Sequence, residues 1–162
     1  MELEFKVAIK IQKPIAEVFD AVYNPKKLSG YFTNGGASAP LDPGTTVTWA
    51  FADTVGEPMS FPVKVKQMVP NKLIEFSWGA GEGEFDIKTG SQQETGGYDT
   101  VVKMEFESLG ANDTLVRIQE GKWRETPKGL QGSYGNCQGW MHMACCLKAY
   151  VEYNINLRKG SF

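Results

Sequence analysis

The stretch Gly139-Trp140-Met141-His142-Met143-Ala144-Cys145-Cys146-Leu147-Lys148-Ala149-Tyr150-Val151-Glu152-Tyr153-Asn154-Ile155-Asn156-Leu157-Arg158 contains no proline. Its apolar residues recur at helical spacing. At ~100° per residue, Cys137, Trp140, Ala144, Leu147, Val151 and Ile155 share one stripe, with Met141 beside it. His142, Cys146, Ala149 and Tyr153 fall opposite. The spacing predicts an amphipathic helix that starts between Pro127 and Asn136 and ends at Gly160, with Arg158 and Lys159 near its negative end. Twenty-odd residues at ~1.5 Å each span roughly 30 Å, the width of a small domain. Such a helix needs a sheet to cover its stripe, and the preceding residues read as one.

Residues 2–11 alternate, with Leu3, Phe5, Val7, Ile9 and Ile11 on one face and Glu2, Glu4, Lys6 and Lys10 on the other, as in a half-buried strand. Pro14 can open a short helix through Tyr23, and Pro25 to Phe32 suits a second helical turn. The Gly- and Pro-rich stretch from Asn34 to Gly44 reads as a crossing loop. From there the period is two: Val47, Trp49 and Phe51; Phe61, Val63 and Val65; Ile74, Phe76 and Trp78; Val102, Met104 and Phe106; Val116 and Ile118. Gly79 to Gly97 is polar and glycine-rich and is expected to be a mobile hairpin tip. It lacks the Lys-Ser/Thr of a phosphate loop. One strand, two short helices, an antiparallel meander and a long helix give an α+β class, in one domain over residues 1–162.

Composition narrows the function classes. The 162 residues carry 41% hydrophobic residues and a formal net charge of −2, which disfavours a nucleic-acid surface. No apolar run is long enough for a membrane span and no signal peptide opens the sequence, so a cytoplasmic protein is expected. Three cysteines, two of them adjacent, do not make a disulfide framework and are expected reduced.

The run Ile11-x-Lys13-Pro14-Ile15-x-x-Val18-Phe19-Asp20-Ala21, followed by Pro25-x-x-Leu28, resembles the opening of helix-grip domains of the START/SRPBCC (birch-pollen-allergen-like) superfamily. Gly139-Trp140 with Leu147-Lys148-Ala149-Tyr150-Val151-Glu152 is similar to the closing helix of one branch, homologous to the C-terminal domain of the activator of the ninety-kilodalton heat-shock-protein ATPase. The resemblance implies a curved antiparallel sheet wrapped around the long helix, with an apolar cavity between them that carries hydrophobic small molecules in the superfamily.

Aromatic residues dominate the faces turned toward the helix. Trp49, Phe51, Phe61, Phe76, Trp78, Met104 and Phe106 from the strands, with Trp123, Tyr134, Trp140 and Ala144 from the helix side, are the candidate cavity lining. Glu120 continues the inward alternation of Thr114, Val116 and Ile118, which places a carboxylate at the cavity end near Trp123 and Arg124. There it reaches water, pairs with Arg124, or works as a general acid or base. His142 is the sole histidine, and with Cys146 at i+4 it could share a metal, but four ligands are not at hand. A solvated or interface face is the expectation, with no metal and no cofactor. Three functions remain open: a binding domain for an unidentified hydrophobic molecule, a stand-alone chaperone-activator-like interaction domain, and a cyclase or hydrolase using Glu120 with Tyr134 or His142. A chaperone and a second copy of the chain are the candidate protein partners.

Overall fold

The alternation of residues 2–11 becomes strand β1 (Leu3–Ile11), and the two proline-initiated segments become α1 (Ile15–Tyr23) and α2 (Pro25–Leu28). The structure is a computed structural model that describes all residues except 54, 56, 57, 89 and 90, with backbone alone at 91–94. The chain continues through β2 (Gly36–Ala37), β3 (Thr46–Phe51), β4 (Met59–Val69), β5 (Leu73–Asp86), β6 (Ser91–Gly110), β7 (Asp113–Trp123) and α3 (Pro127–Tyr153). The seven strands form one antiparallel sheet in the order β1-β7-β6-β5-β4-β3-β2. The sheet curves around α3, which is the α+β helix-grip architecture expected from the sequence.

The period-two faces pack as read. Val47, Trp49, Val63, Val65, Ile74, Phe76, Val102, Met104, Val116 and Ile118 are all buried against α1, α2 and α3. Thr126 caps α3 by accepting the Gly129 amide at 3.0 Å, with Pro127 in the first turn, where its missing N–H leaves no bond unmade.

Three expectations are corrected. The helix stops at Tyr153 rather than Gly160, because Asn154 takes the left-handed conformation (φ 54°, ψ 41°). Ile155 therefore leaves the stripe and is 52% exposed, and Arg158 lies beyond the helix end. Met143 and Cys146, neither of them on the predicted stripe, are buried with Trp140, Ala144 and Leu147. The cause is a second cover: the segment after α2 folds onto α3, where Tyr31 packs on Tyr150 with ring centroids 5.1 Å apart. Finally, most of 79–97 is strand. Irregularities between Gly79 and Gly81 and between Glu82 and Phe85 absorb the extra residues, so β5 and β6 stay paired out to Asp86 and Ser91. Of the expected tip, residues 89 and 90 lie outside the described residues. Asn34 to Gly44 is a connection, as read, except that β2 within it pairs with β3.

Candidate functional site

Strand alternation carries Glu120 to the inner face of β7, where it is 0% exposed. It does not reach the surface, and Arg124 does not meet it. Among the described residues, four side chains donate to it instead. Trp78 Nε1 reaches Oε1 at 3.0 Å and Thr100 Oγ1 reaches the same oxygen at 2.6 Å. Trp140 Nε1 donates to Oε2 at 2.7 Å, and Asn136 Nδ2 straddles both oxygens at 3.2 and 3.0 Å. Burial pushes the carboxyl above its ordinary value, and the four donors pull it back. Arg124 lies elsewhere: its guanidinium sits 4.3 Å from the Tyr98 ring centroid, and it donates to the Gly96 carbonyl at 3.3 Å.

In front of this carboxylate, a pocket of about 710 Å³ opens between β3–β6, α3 and the segment after it. Its walls are Phe32, Phe51, Phe61, Phe85 and Phe162 with the indoles of Trp78 and Trp140. The tryptophans thus have two faces of use: their rings line the pocket while their N–H groups hold Glu120 behind it. Trp78 and Trp140 stand 5.4 Å apart, and Phe61 sits 6.0 Å from Trp78. On α3 the pocket floor is Gly135, Asn136, Gly139 and Trp140. Gly139 is exposed at the pocket's edge, and a methyl group added there would meet nothing within 4 Å.

The charged groups at the rim are paired. Lys64 binds Asp99 at 2.8 Å. Arg158 forms a two-point bridge to Asp53, Nε to Oδ2 at 2.6 Å and a terminal nitrogen to Oδ1 at 3.1 Å. Its guanidinium stacks 5.0 Å from Phe51 and 4.9 Å from Phe162. His142 also faces the pocket. Its Nε2 lies 3.2 Å from Ser161 Oγ and its ring packs on Phe162 at 5.3 Å. Burial, and then the Arg158 charge, lower its pKa from 6.5.

Of the twelve residues expected to line the cavity, Phe51, Phe61, Trp78 and Trp140 do so. Trp49, Phe76, Met104, Phe106 and Ala144 are filled core behind the wall, because the aromatic rings interlock: Trp49 packs edge-on to Phe76 at 5.2 Å and to Trp78 at 5.9 Å. Glu120 is sealed off by its own donors. Trp123 is turned by the irregular end of β7, where Lys122 has φ 68°, and packs over Gly132 instead. Tyr134 is 60% exposed because the pocket takes the arc of α3 that holds Gly135, Asn136 and Gly139. The solvated face expected at His142 and Cys146 is corrected too. Cys146 is fully buried, with its thiol pushed up to about 11, and the segment after α3 folds back over His142. All three cysteines are free, and among the described residues no three His, Cys, Asp or Glu side chains converge as a metal site would need.

Phe32, Phe85, Asn136, Gly139, Arg158 and Phe162 were not singled out from sequence as lining. Asn136 was within reach, since it stands four residues before Trp140 and so shares its helical face. Arg158 and Phe162 carried no such signal, because their placement depends on where the helix ends.

Residues 12–152 match the family model described as Activator of Hsp90 ATPase homolog 1-like protein. No curated protein matches the sequence. A crystal structure of a protein from Staphylococcus saprophyticus superposes with a TM-score of 0.72 at 22% identity, covering 96% of each chain. DynU16, from the dynemicin biosynthetic locus, gives 0.71 at 20% identity over 94% of this chain and 48% of its own. The Aha1 dimer of Colwellia psychrerythraea gives 0.65 at 20% identity over 93% and 97%. These likenesses are of fold. Among the described residues, no helix is long and apolar enough to cross a membrane.

Proposed function

The chain belongs to the Activator of Hsp90 ATPase homolog 1-like family, and from that premise we propose that it binds a small hydrophobic molecule in the pocket between sheet and α3. The observation that carries this reading is a volume of about 710 Å³ walled by aromatic rings and bordered on α3 by the exposed Gly139. The size falls within the ~300–1,000 Å³ usual for small-molecule sites. A ligand losing ~300 Å² of apolar surface gains roughly 7 kcal/mol gross, and ordering costs leave micromolar affinity.

The neutral probe N-phenyl-1-naphthylamine is expected to bind the wild type with 1:1 saturation and to quench tryptophan emission. Gly139→Leu should abolish that binding without unfolding the chain, because its side chain occupies the open volume. No saturable binding to the wild type, or equal binding by the folded variant, would overturn the proposal. Native mass spectrometry of freshly purified protein would show a retained ligand as added mass.

A second reading is favoured by the family description: a domain acting on a chaperone through its surface, alone or as a dimer. It predicts that Gly139→Leu leaves any effect on a chaperone's ATPase rate unchanged.

A further inference from the structure

We propose that the pocket selects a neutral aromatic ligand carrying a hydrogen-bond donor, a hydroxyl or an N–H, and that Asn136 supplies the acceptor that reads it. This inference deepens the binding function proposed above and rests on it. The argument starts at Glu120. Its oxygens already receive the indole N–H groups of Trp78 and Trp140, which can only donate, and the Thr100 hydroxyl. The Asn136 amide meets both oxygens with its NH₂ group, at 3.2 and 3.0 Å. The reverse orientation would press its carbonyl oxygen against a carboxylate. The amide is therefore fixed, and Oδ1 is directed away from Glu120 on a residue that lines the pocket. Among the described residues no donor reaches that oxygen. Glu120 is thus a positioning residue, acting on the ligand through Asn136.

The rest of the lining sets the ligand's charge and shape. Lys64 and Arg158, the cations of the pocket, are each committed to a carboxylate, Asp99 and Asp53. A ligand anion would have to break one of those pairs, and a ligand cation would displace a paired base from its acid. Neutral molecules meet no such cost. Trp78, Trp140, Phe61 and Phe51 present ring faces and edges, which suits a flat aromatic body. A hydroxyl or N–H on that body satisfies Asn136 Oδ1, whereas an ether or a bare hydrocarbon strips water from it and returns nothing.

The test compares 2-naphthol, 2-methoxynaphthalene and 2-naphthoate by isothermal titration calorimetry at neutral pH. The wild type is expected to bind 2-naphthol about three- to tenfold more tightly than 2-methoxynaphthalene, the margin of one neutral hydrogen bond, and 2-naphthoate more weakly than either. The Asn136 side-chain amide resonance should move with 2-naphthol and stay with 2-methoxynaphthalene, a readout that needs no variant to fold. Asn136→Ala should bring the two neutral probes to equal affinity. Equal binding of those probes by the wild type overturns donor recognition and leaves the apolar pocket standing. A naphthol preference that survives in folded Asn136→Ala overturns the role of Asn136. If none of the three binds, the binding function falls, and this inference with it.

Discussion

At the scale of single residues, two titratable groups carry opposite pH signatures. Burial raises the Glu120 carboxyl above its ordinary 4.5, against the pull of Thr100, Trp78, Asn136 and Trp140. Below 4.5 the group is protonated folded or unfolded. Above it the unfolded chain ionises first, so this contribution to stability is lost as pH rises from 4.5 through the raised folded value. His142 behaves inversely: its folded pKa is depressed below 6.5, chiefly by burial. Its contribution is present above 6.5 and is lost as pH falls through the lowered folded value. Chemical denaturation across pH separates the two. Wild type should lose stability relative to Glu120→Gln as pH climbs above 4.5, and gain relative to His142→Gln as pH approaches 6.5. A flat difference would mean that the four donors fully offset burial at Glu120, or that His142 is solvated. Thr100 provides a companion test, since it is fully buried and makes the 2.6 Å bond. Thr100→Val keeps the shape and removes the donor, and is expected to cost about 1.5–3 kcal/mol in the denaturation midpoint analysis.

At the scale of elements, α3 is defined by its glycines as much as by its apolar stripe. A Cβ at Gly132 would collide with the Gly81 carbonyl oxygen, a backbone atom that cannot step aside, so helix and β5 meet there only through glycine. At Gly139 the same Cβ would enter open space. Gly132→Ala is accordingly expected to destabilise by about 1–3 kcal/mol through overpacking, while Gly139→Ala should stabilise by about 0.5–1 kcal/mol through helix propensity. Urea denaturation of both variants decides the matter, and two losses of similar size would show that Gly139 is packed after all. The glycines also explain which parts of the chain were legible. Alternation marks a strand when side chains differ in polarity, so β1, β3, β4 and β7 were readable from residues such as Val47, Trp49 and Phe51. Gly79, Gly81, Gly83 and Gly97 show no such contrast, and the outer halves of β5 and β6 therefore read as loop. Glu120 was legible as an inward carboxylate. Its partners were not, because Trp78 and Thr100 reach it through the register of β5, β6 and β7, while Asn136 and Trp140 reach it only through the packing of α3 on the sheet. The burial of Cys146 and His142 was hidden for a similar reason: it comes from Tyr31 and Ser161, two segments far from α3 in local pattern.

At the scale of the whole molecule, the first strand pairs with the last, Ile11 opposite Thr114 and Val7 opposite Ile118, so the sheet cannot be completed without both ends of the strand sequence. Helix α3 then packs on β1 at one side of the sheet and on β5 near its middle. With these long-range pairings shared by one core, the chain is expected to unfold as a single cooperative unit, although one of its walls is an open pocket. That combination makes ligand binding visible in the global melt. A ligand held only by the native state adds RT ln(1 + [L]/Kd), about 1.4 kcal/mol at ten times Kd. For a chain of this size each kcal/mol moves Tm by ~2–4 °C. The wild type should therefore melt in one transition that rises by roughly 3–6 °C with 2-naphthol at ten times its measured Kd. Gly139→Leu should melt in one transition that the same addition leaves in place. Differential scanning calorimetry distinguishes the alternatives. Two separate transitions in the wild type would mean that β1, β7 and α3 do not share one cooperative core. An equal upward shift in wild type and Gly139→Leu would place the naphthol outside the pocket between Trp78, Trp140 and Gly139.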